Sequence, residues 1–345
     1  MTAPAHTRMV ARTPSDLVAI VPLVLGFHPS DSVVLLTFGP PGGSFHARVD
    51  LPVSRDEQVH VAEMLLGAVV ANDVRRAAVL LFTDDVAAAE AQADEILGRL
   101  LEHSCSVIEV IRVDDGHWHP VPDDGGPGTA YDLQTHPFTA QHVFDGQVVH
   151  ADREALVDSL VGTDEDDATA VALAATRFAD HLFSRQAAAP GSVAAMRDEA
   201  TWLQRRVRRY LEDRSRPTAG EAGRMLVLAS LVPTRDAAWA EITRPSAPEH
   251  VELWRDLVRR APRDLLPGAG SLLAFAAWQR GDGALAWCSL DRVLDADPDY
   301  SMAHLVAGIL TRAVPPDVWD PMDPGSLPVF DDDGPVAGQA GDRAS

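Results

Sequence analysis

In the first third of the chain, apolar runs typical of strands take turns with apolar spacings typical of helices. This succession predicts an α/β fold. Four runs rich in β-branched and aliphatic residues predict strands, at 32–38, 45–51, 77–82 and 106–113. Helical patterns precede the first strand and separate the last three, and one of these helices opens with a capping box at Ser54 and Glu57. This order predicts a mixed, largely parallel sheet that starts with a β-hairpin.

The second half of the chain has a different pattern. Beyond residue 154 the apolar spacing is helical, and no run has the alternation of a strand. We therefore predict an α/β domain at 13–160 and an all-α domain at 161–312. We also predict a disordered lead at 1–12 and an acidic, disordered tail at 313–345. The tail is rich in Asp, Pro and Gly, so it buries too little apolar surface to offset the entropy of ordering.

The helical hairpin at 268–312 resembles the tetratricopeptide repeat. Gly281-Asp282 supplies the turn between two predicted helices, and Asp297-Pro298 ends the second helix. Ala274 and Gly308 are both small and lie 34 positions apart, which is the period of that repeat. The all-α domain is therefore expected to contain tetratricopeptide-like helical hairpins.

Aromatic residues in the same half suit either a large core or an aromatic-lined groove for a partner. Six of the seven tryptophans lie there, and Trp278 and Trp287 are the candidate partner-binding residues. The resemblance is incomplete, since Gly270 stands where the repeat usually has Trp and Ala277 where it usually has Tyr. The hairpin is either part of a concave partner-binding groove or a pair of helices that only pack on their neighbours.

Two segments near the start of the chain are distinctive. They read LGFHPSDSVV at 25–34 and ARVDLP at 47–52. They resemble the hallmark of an actinobacterial family catalogued as a domain of unknown function, with its LGF-x-P-x-D-S-x-V motif. The resemblance extends over most of the chain, implies a bacterial cytoplasmic protein and supplies no activity. The apolar stretch at 17–27 agrees with a cytoplasmic location, since it is too short to span a bilayer and lacks a cleavage motif.

These two segments also contain a candidate ligand-binding cluster, which consists of Asp31, Ser32, Arg48 and Asp50. Arg48 and Asp50 are two positions apart and therefore point to the same face of the return strand. Asp31 and Ser32 precede the partner strand, where they can hydrogen-bond the backbone of the turn. The cluster is either a turn braced by an ion-paired strand or a polar site at the edge of the sheet.

Charge excludes several classes of function. The 51 acidic and 29 basic side chains give a formal net charge of −22, which disfavours binding to nucleic acids and to anionic membranes. All 29 basic residues are arginine. Without lysine the chain cannot form a Schiff base, and it lacks the phosphate-binding lysine of P-loop proteins and kinases.

Metal-binding and redox motifs are incomplete. His117 and His119 would lie on one face of a strand, but no third ligand stands at a diagnostic spacing. Cys105 and Cys288 are far apart and have apolar neighbours, which is typical of core residues. We therefore expect no metal and no cofactor.

Together these patterns favour a non-enzymatic cytoplasmic protein that binds a protein or peptide through its helical half. The alternative is an enzyme or small-ligand binder that uses polar residues at the edge of the N-terminal sheet. In open α/β sheets ligands bind beyond the carboxyl ends of the strands, which here lie near residues 83–85 and 114–115. Those positions are acidic and would suit a cationic ligand.

Overall fold

The computed structural model describes residues 10–39, 45–144, 146–188 and 193–331 of the 345-residue chain. The chain divides into two compact units. Unit 1 consists of residues 1–156 and 308–318, and unit 2 of residues 157–307 and 319–345. The predicted domain boundary at 160 lies close to the boundary between the units. Most of the predicted disordered lead, at 1–9, lies outside the described residues.

Unit 1 contains an α/β fold whose elements follow the predicted order. They are α1 (Pro14–Leu25), β1 (Ser32–Phe38), β2 (His46–Asp50), α2 (Arg55–Ala71), β3 (Arg76–Phe82), α3 (Val86–Glu102), β4 (Ser106–Asp114), β5 (His117–Pro120), β6 (Thr129–Ala130), α4 (Pro137–Phe144) and α5 (Arg153–Asp158), which runs across the boundary. The predicted capping box of α2 is present, with the Ser54 side chain accepting from the backbone of Glu57. Helix α1 ends at Gly26, whose φ of 74° a residue with a Cβ rarely adopts.

The sheet is mixed, as predicted, but it is not largely parallel. Within the described residues six strands pair in the order β2-β1-β3-β4-β5-β6, and β3 with β4 is the one parallel pair of neighbouring strands. The prediction was wrong because β1 lies between β2 and β3. Both strands run antiparallel to β1, so the β2-α2-β3 crossover connects parallel strands that are not neighbours. The short strands β5 and β6 then add two further antiparallel pairs.

Helices α2 and α3 cover one face of this sheet. Val33 and Leu35 of β1 and Val79 and Leu81 of β3 point into a core that these two helices complete. The residues between them in sequence, such as Leu80, are equally buried and point to the opposite face. Strands β1 and β3 are therefore buried on both faces, and this explains their continuous apolar runs.

Unit 2 is all-helical in its described residues, as predicted. Its helices are α6 (Glu165–Ala188), α7 (Val193–Asp213), α8 (Ala219–Ser230), α9 (Val232–Trp239), α10 (Ala247–Arg260), α11 (Leu266–Arg280) and α12 (Gly283–Ala296), and α13 (Ser301–Thr311) begins in it. Helix α11 is buried from Leu266 to Gln279 and packs against α8, α10 and α12. None of the helices in the described ranges is long and apolar enough to cross a membrane.

Helices α11 and α12 form the hairpin that resembles a tetratricopeptide repeat, and they cross closely at Gly270. The Ser289 hydroxyl donates to the carbonyl of Gly270 at 2.8 Å. A Cβ added to Gly270 would lie 2.4 Å from Cγ2 of Val293. A side chain at position 270 would therefore separate the two helices.

The predicted disordered tail is ordered in its first part. Residues 319–331 pack on unit 2, where Trp319 stacks on Trp239 with ring centroids 5.7 Å apart. Val329 is only 5% exposed and contacts Ala200 and Ala237. The prediction was wrong here because two apolar anchors compensate for the polar local composition. Residues 332–345 of the predicted tail lie outside the described residues.

We expect Gly270→Ala to lower the free energy of unfolding by about 1–3 kcal/mol, because the new methyl group overlaps Val293. In an open helix the same change normally stabilises by roughly 0.5–1 kcal/mol. Gly220→Ala in α8 is the matched control, since no atom lies within 4 Å of its added Cβ. Urea titration of both variants measures the difference, and equal stability of the two would contradict the close crossing.

A second prediction concerns His250 of α10, which is fully buried. Burial lowers its pKa to about 4, and its Nε2 lies 3.0 Å from the carbonyl oxygen of Glu241. The unfolded chain takes up this proton near pH 6.5, whereas the folded chain does not, so stability falls as pH drops from 6.5 towards 4. Between pH 7.5 and 5 this histidine is expected to account for a loss of about 2 kcal/mol.

The variant His250→Gln isolates this contribution, because the amide retains a donor for the Glu241 carbonyl but does not titrate. Urea unfolding at the two pH values should show a smaller loss in the variant than in the wild type. An identical loss in both proteins would assign the pH dependence to other groups.

Candidate functional site

The distinctive turn before β1 is built from its own backbone and one buried aromatic side chain. Phe27 is 2% exposed, and the Leu51 N–H donates to the carbonyl of Asp31 at 2.8 Å. Asp31 has a φ of 41°, a left-handed conformation that Asp adopts more readily than most residues. Its role in this turn is therefore a backbone one, and its side chain is exposed.

The structure brings the other three members of the predicted cluster together. Arg48 donates from Nε to the Ser32 hydroxyl at 2.8 Å, and its Nη1 forms an ion pair with Asp50 at 2.7 Å. The buried Ser32 hydroxyl donates in turn to the Ser30 carbonyl at 2.5 Å. The Arg48 guanidinium also lies 5.9 Å from the centroid of the Phe27 ring.

This geometry matches the interpretation of a turn braced by an ion-paired strand. Three groups of Arg48 are already engaged: Nε by a hydroxyl, Nη1 by a carboxylate and the guanidinium face by a ring. The arginine thereby links β2 to the turn that leads into β1. The use of Asp31, Ser32, Arg48 and Asp50 for ligand binding stays a prediction.

The acidic end of the sheet, beyond β3 and β4, holds a buried arginine that sequence reasoning missed. The Arg112 side chain is 5% exposed and donates to the Thr83 carbonyl at 3.3 Å. It pairs with Asp114 and, at 3.1 Å, with Asp123. Hydrogen bonds from the Gly125 N–H and from Arg112 hold the pKa of Asp123 below its ordinary value. Of the carboxylates at this end of the sheet, Asp114 and Asp123 are therefore engaged with Arg112.

His119 of the predicted histidine pair belongs to the same network. Its Nε2 lies 3.3 Å from Oδ2 of Asp114, and the backbone at Gly128 packs against its ring so closely that a Cβ there would overlap it. The other histidine, His117, lies with Nδ1 3.1 Å from the carbonyl oxygen of Asp115. In the part of the chain that the structure describes, no three His, Cys, Asp or Glu side chains are grouped as a metal ion requires.

The candidate partner-binding tryptophans lie on α11 and α12. Trp278 is 4% exposed, and its ring centroid lies 6.1 Å from that of Trp319. The chain therefore covers this tryptophan with its own C-terminal segment. Trp287 is half-buried. Their role in partner binding stays a prediction.

An open groove on unit 2 is a candidate site that the sequence reasoning did not identify. It has a volume of about 510 Å³ and lies between α6, α8 and the segment 262–265. Its floor is formed by small residues of α6, including Ala172, Ala175 and Ala179, and by Val227 of α8. A run of alanines at helical spacing was the available signal, but that pattern alone is equally typical of helix packing.

The groove combines an apolar floor with acidic groups. Phe183 lines it and is 73% exposed, which is unusual for a phenylalanine. Asp180 and Asp264 are the charged side chains among the lining residues, and neither forms an ion pair within the described ranges. The groove therefore presents apolar surface beside two unpaired carboxylates.

Comparison with protein families finds a match over most of the chain. The model of the family described as Domain of unknown function (DUF4192) matches residues 14–317. The chain belongs to the DUF4192 family. The DUF4192 match begins at the first residue of α1 and continues beyond α13, so it includes the braced turn and the groove. No curated protein and no solved structure matches the chain.

The braced turn of this DUF4192 protein leads to a stability prediction. We expect Arg48→Met to lower the free energy of unfolding by about 1–3 kcal/mol, because it leaves the buried Ser32 hydroxyl without its donor. Asp50→Asn should cost less than about 1 kcal/mol, since that carboxylate is 85% exposed and water screens the pair. Thermal or urea unfolding checks both values. A larger cost for Asp50→Asn than for Arg48→Met would show that the ion pair matters more than the hydrogen bond.

Proposed function

We propose that this DUF4192 protein is a non-enzymatic interaction protein that binds a peptide segment of a partner in the groove between α6 and α8. The observation that carries the proposal is the open apolar groove with two unpaired carboxylates, Asp180 and Asp264. A concave site of this volume, lined mainly by apolar side chains with a few polar groups, is a common kind of binding site.

The length of the groove favours a peptide over a small molecule. Its lining residues on α6 extend from Ala172 to Phe183, which corresponds to about 16 Å at 1.5 Å per residue. That length accommodates two to three turns of an amphipathic helix, and helices commonly bind in apolar grooves. The small side chains of Ala172, Ala175 and Ala179 allow the backbone of such a helix to approach α6.

Charge favours a basic partner. Both charged lining residues are acidic, and the whole chain has a formal net charge of −22. A peptide with Arg or Lys beside its apolar residues would pair with Asp180 and Asp264, and the acidic protein would attract it from a distance. The same charge supports the expectation that nucleic acids and anionic membranes are not partners.

The alternative, an enzyme or small-ligand binder at the sheet edge, has less support. The two arginines there are already paired, Arg48 with Asp50 and Arg112 with Asp114 and Asp123. An anionic ligand would have to displace these carboxylates.

The same proposal includes the finer expectations from the sequence. We place the protein in the cytoplasm of an actinobacterium, and we interpret α11–α12 as a degenerate tetratricopeptide-like hairpin. The close crossing at Gly270 supports a packing role for this hairpin, because it leaves no room for the usual tryptophan.

Selection from a displayed library of random helical peptides tests the proposal. We expect the peptides that bind the wild-type protein to combine Leu or Ile with Arg or Lys. Ala179→Trp, which fills the groove, should weaken their binding at least roughly 10-fold, a loss of about 1.4 kcal/mol. The double variant Asp180→Asn and Asp264→Asn should weaken binding less and should reduce its dependence on salt.

Leu173→Ala is the matched control, because Leu173 is 51% exposed on the same helix and does not line the groove. Its affinity should equal that of the wild type in fluorescence anisotropy. Selected peptides that bind Ala179→Trp as tightly as the wild type would place the binding site elsewhere and contradict the proposal.

A further inference from the structure

The segment Trp319–Asp331, which we name the strap, is attached to unit 2 by two apolar anchors. At its start, the Trp319 ring stacks on Trp239 and meets Phe275 edge-on, with centroids 5.7 and 5.1 Å apart. This arrangement places the strap tryptophan in an aromatic cluster formed by α9 and α11. Aromatic contacts with this geometry stabilise an interface beyond the area that they bury.

The second anchor is Val329, ten residues further along. It is 5% exposed and lies in an apolar cluster with Ala200 of α7 and Ala237 of α9. Arg197 of α7 donates to the carbonyl oxygens of Val329 and Asp331, at 3.4 and 2.8 Å. An arginine that binds main-chain carbonyls recognises the backbone of a segment independently of its side chains.

Between the anchors, the hydrogen bonds of the strap are local. The Gly325 N–H donates to Asp323 of the strap at 2.9 Å, and the Ser326 N–H donates to the Asp323 carbonyl at 3.0 Å. Prolines at 321, 324 and 328 supply no N–H groups, and the strap is outside the strands of the described sheet. The strap is thus held by side-chain anchors and one arginine, as a bound peptide is, and not by a backbone ladder.

We propose that the strap is an intrachain ligand, and that the surface beneath it docks a partner segment of the same chemistry. The surface comprises Trp239, Phe275 and Trp278 at one end and Ala200 and Ala237 at the other. The partner segment is acidic and interrupted by prolines, with a tryptophan about ten residues before an aliphatic anchor. This site is distinct from the α6–α8 groove, and the inference does not depend on the proposed function.

The tether makes the strap a competitor for that partner. A segment attached to the same chain has an effective concentration in the millimolar range, so an identical free segment binds only when the strap detaches. Docking at this surface is therefore regulated by how tightly the two anchors hold. Any change that loosens one anchor should open the site to a segment supplied in trans.

A fluorescently labelled synthetic peptide of residues 315–331 tests the proposal on the full chain. We expect it to bind wild-type protein weakly and to bind the variant Trp319→Ala at least roughly 10-fold more tightly, because the variant weakens only the tethered competitor. The same peptide carrying Trp319→Ala should bind neither protein. Fluorescence anisotropy measures all four affinities.

Val329→Asp loosens the second anchor and should act in the same direction. Circular dichroism and urea titration establish whether both variants still unfold cooperatively. If both variants lose cooperative unfolding, the strap is an integral part of the core and the proposal is wrong. Equal affinity of the peptide for the wild type and for both folded variants, or no binding to any of them, would also overturn it.

Discussion

The pairing of β1 with β3 is the interaction on which the α/β unit depends. Seven residue pairs connect the two strands, from Ser32 opposite Phe82 to Phe38 opposite Arg76. Because the pair is antiparallel, the start of β1 lies beside the end of β3. The distinctive turn before β1 is therefore at the same end of the sheet as the acidic residues that follow β3 and β4. Both faces of the pair are covered, so most of its length is withdrawn from water.

Charge pairing at that end of the sheet limits what it can do chemically. Arg48 braces the turn on one face, and Arg112 joins Asp114 and Asp123 on the other. Unit 2 contains a similar buried arginine, Arg260, which forms ion pairs with Asp167 and Asp256. A buried guanidinium requires such partners, because an unpaired charge away from water is costly. Removing one partner of such a pair would leave a buried charge uncompensated, so these acids are committed to the fold.

Unit 2 presents two surfaces of opposite character. The α6–α8 groove is open, apolar in its floor and acidic beside it. The strap surface is aromatic and already occupied by a segment of the chain that is itself acidic. An acidic segment on one surface and a basic partner on the other would not compete for the same contacts, so the two surfaces can act independently.

Local signals in the sequence determined much of this architecture. Several signals depend on only a few neighbouring residues, so patterns in a single sequence predict them. They are the capping box at Ser54, the glycine that ends α1 and the apolar runs of β1 and β3. The all-helical second half and the adjacency of Ser32, Arg48 and Asp50 follow from the same local periodicities. Strand order does not follow from local periodicity, because the apolar pattern of β1 is the same whether it lies at an edge or between β2 and β3. The tertiary structure alone placed it there.

The docking of the strap and the α6–α8 groove were likewise decided only in three dimensions. The composition of residues 319–331 is polar and proline-rich, so its local signal predicts disorder. Trp319 is ordered by Trp239 and Phe275, which lie far away in the sequence. The groove exists because α6 and α8 leave a space between them, and nothing in either helix alone specifies that space. Burial is a sum over residues that only the fold brings together, whereas capping and periodicity are properties of neighbours in the chain.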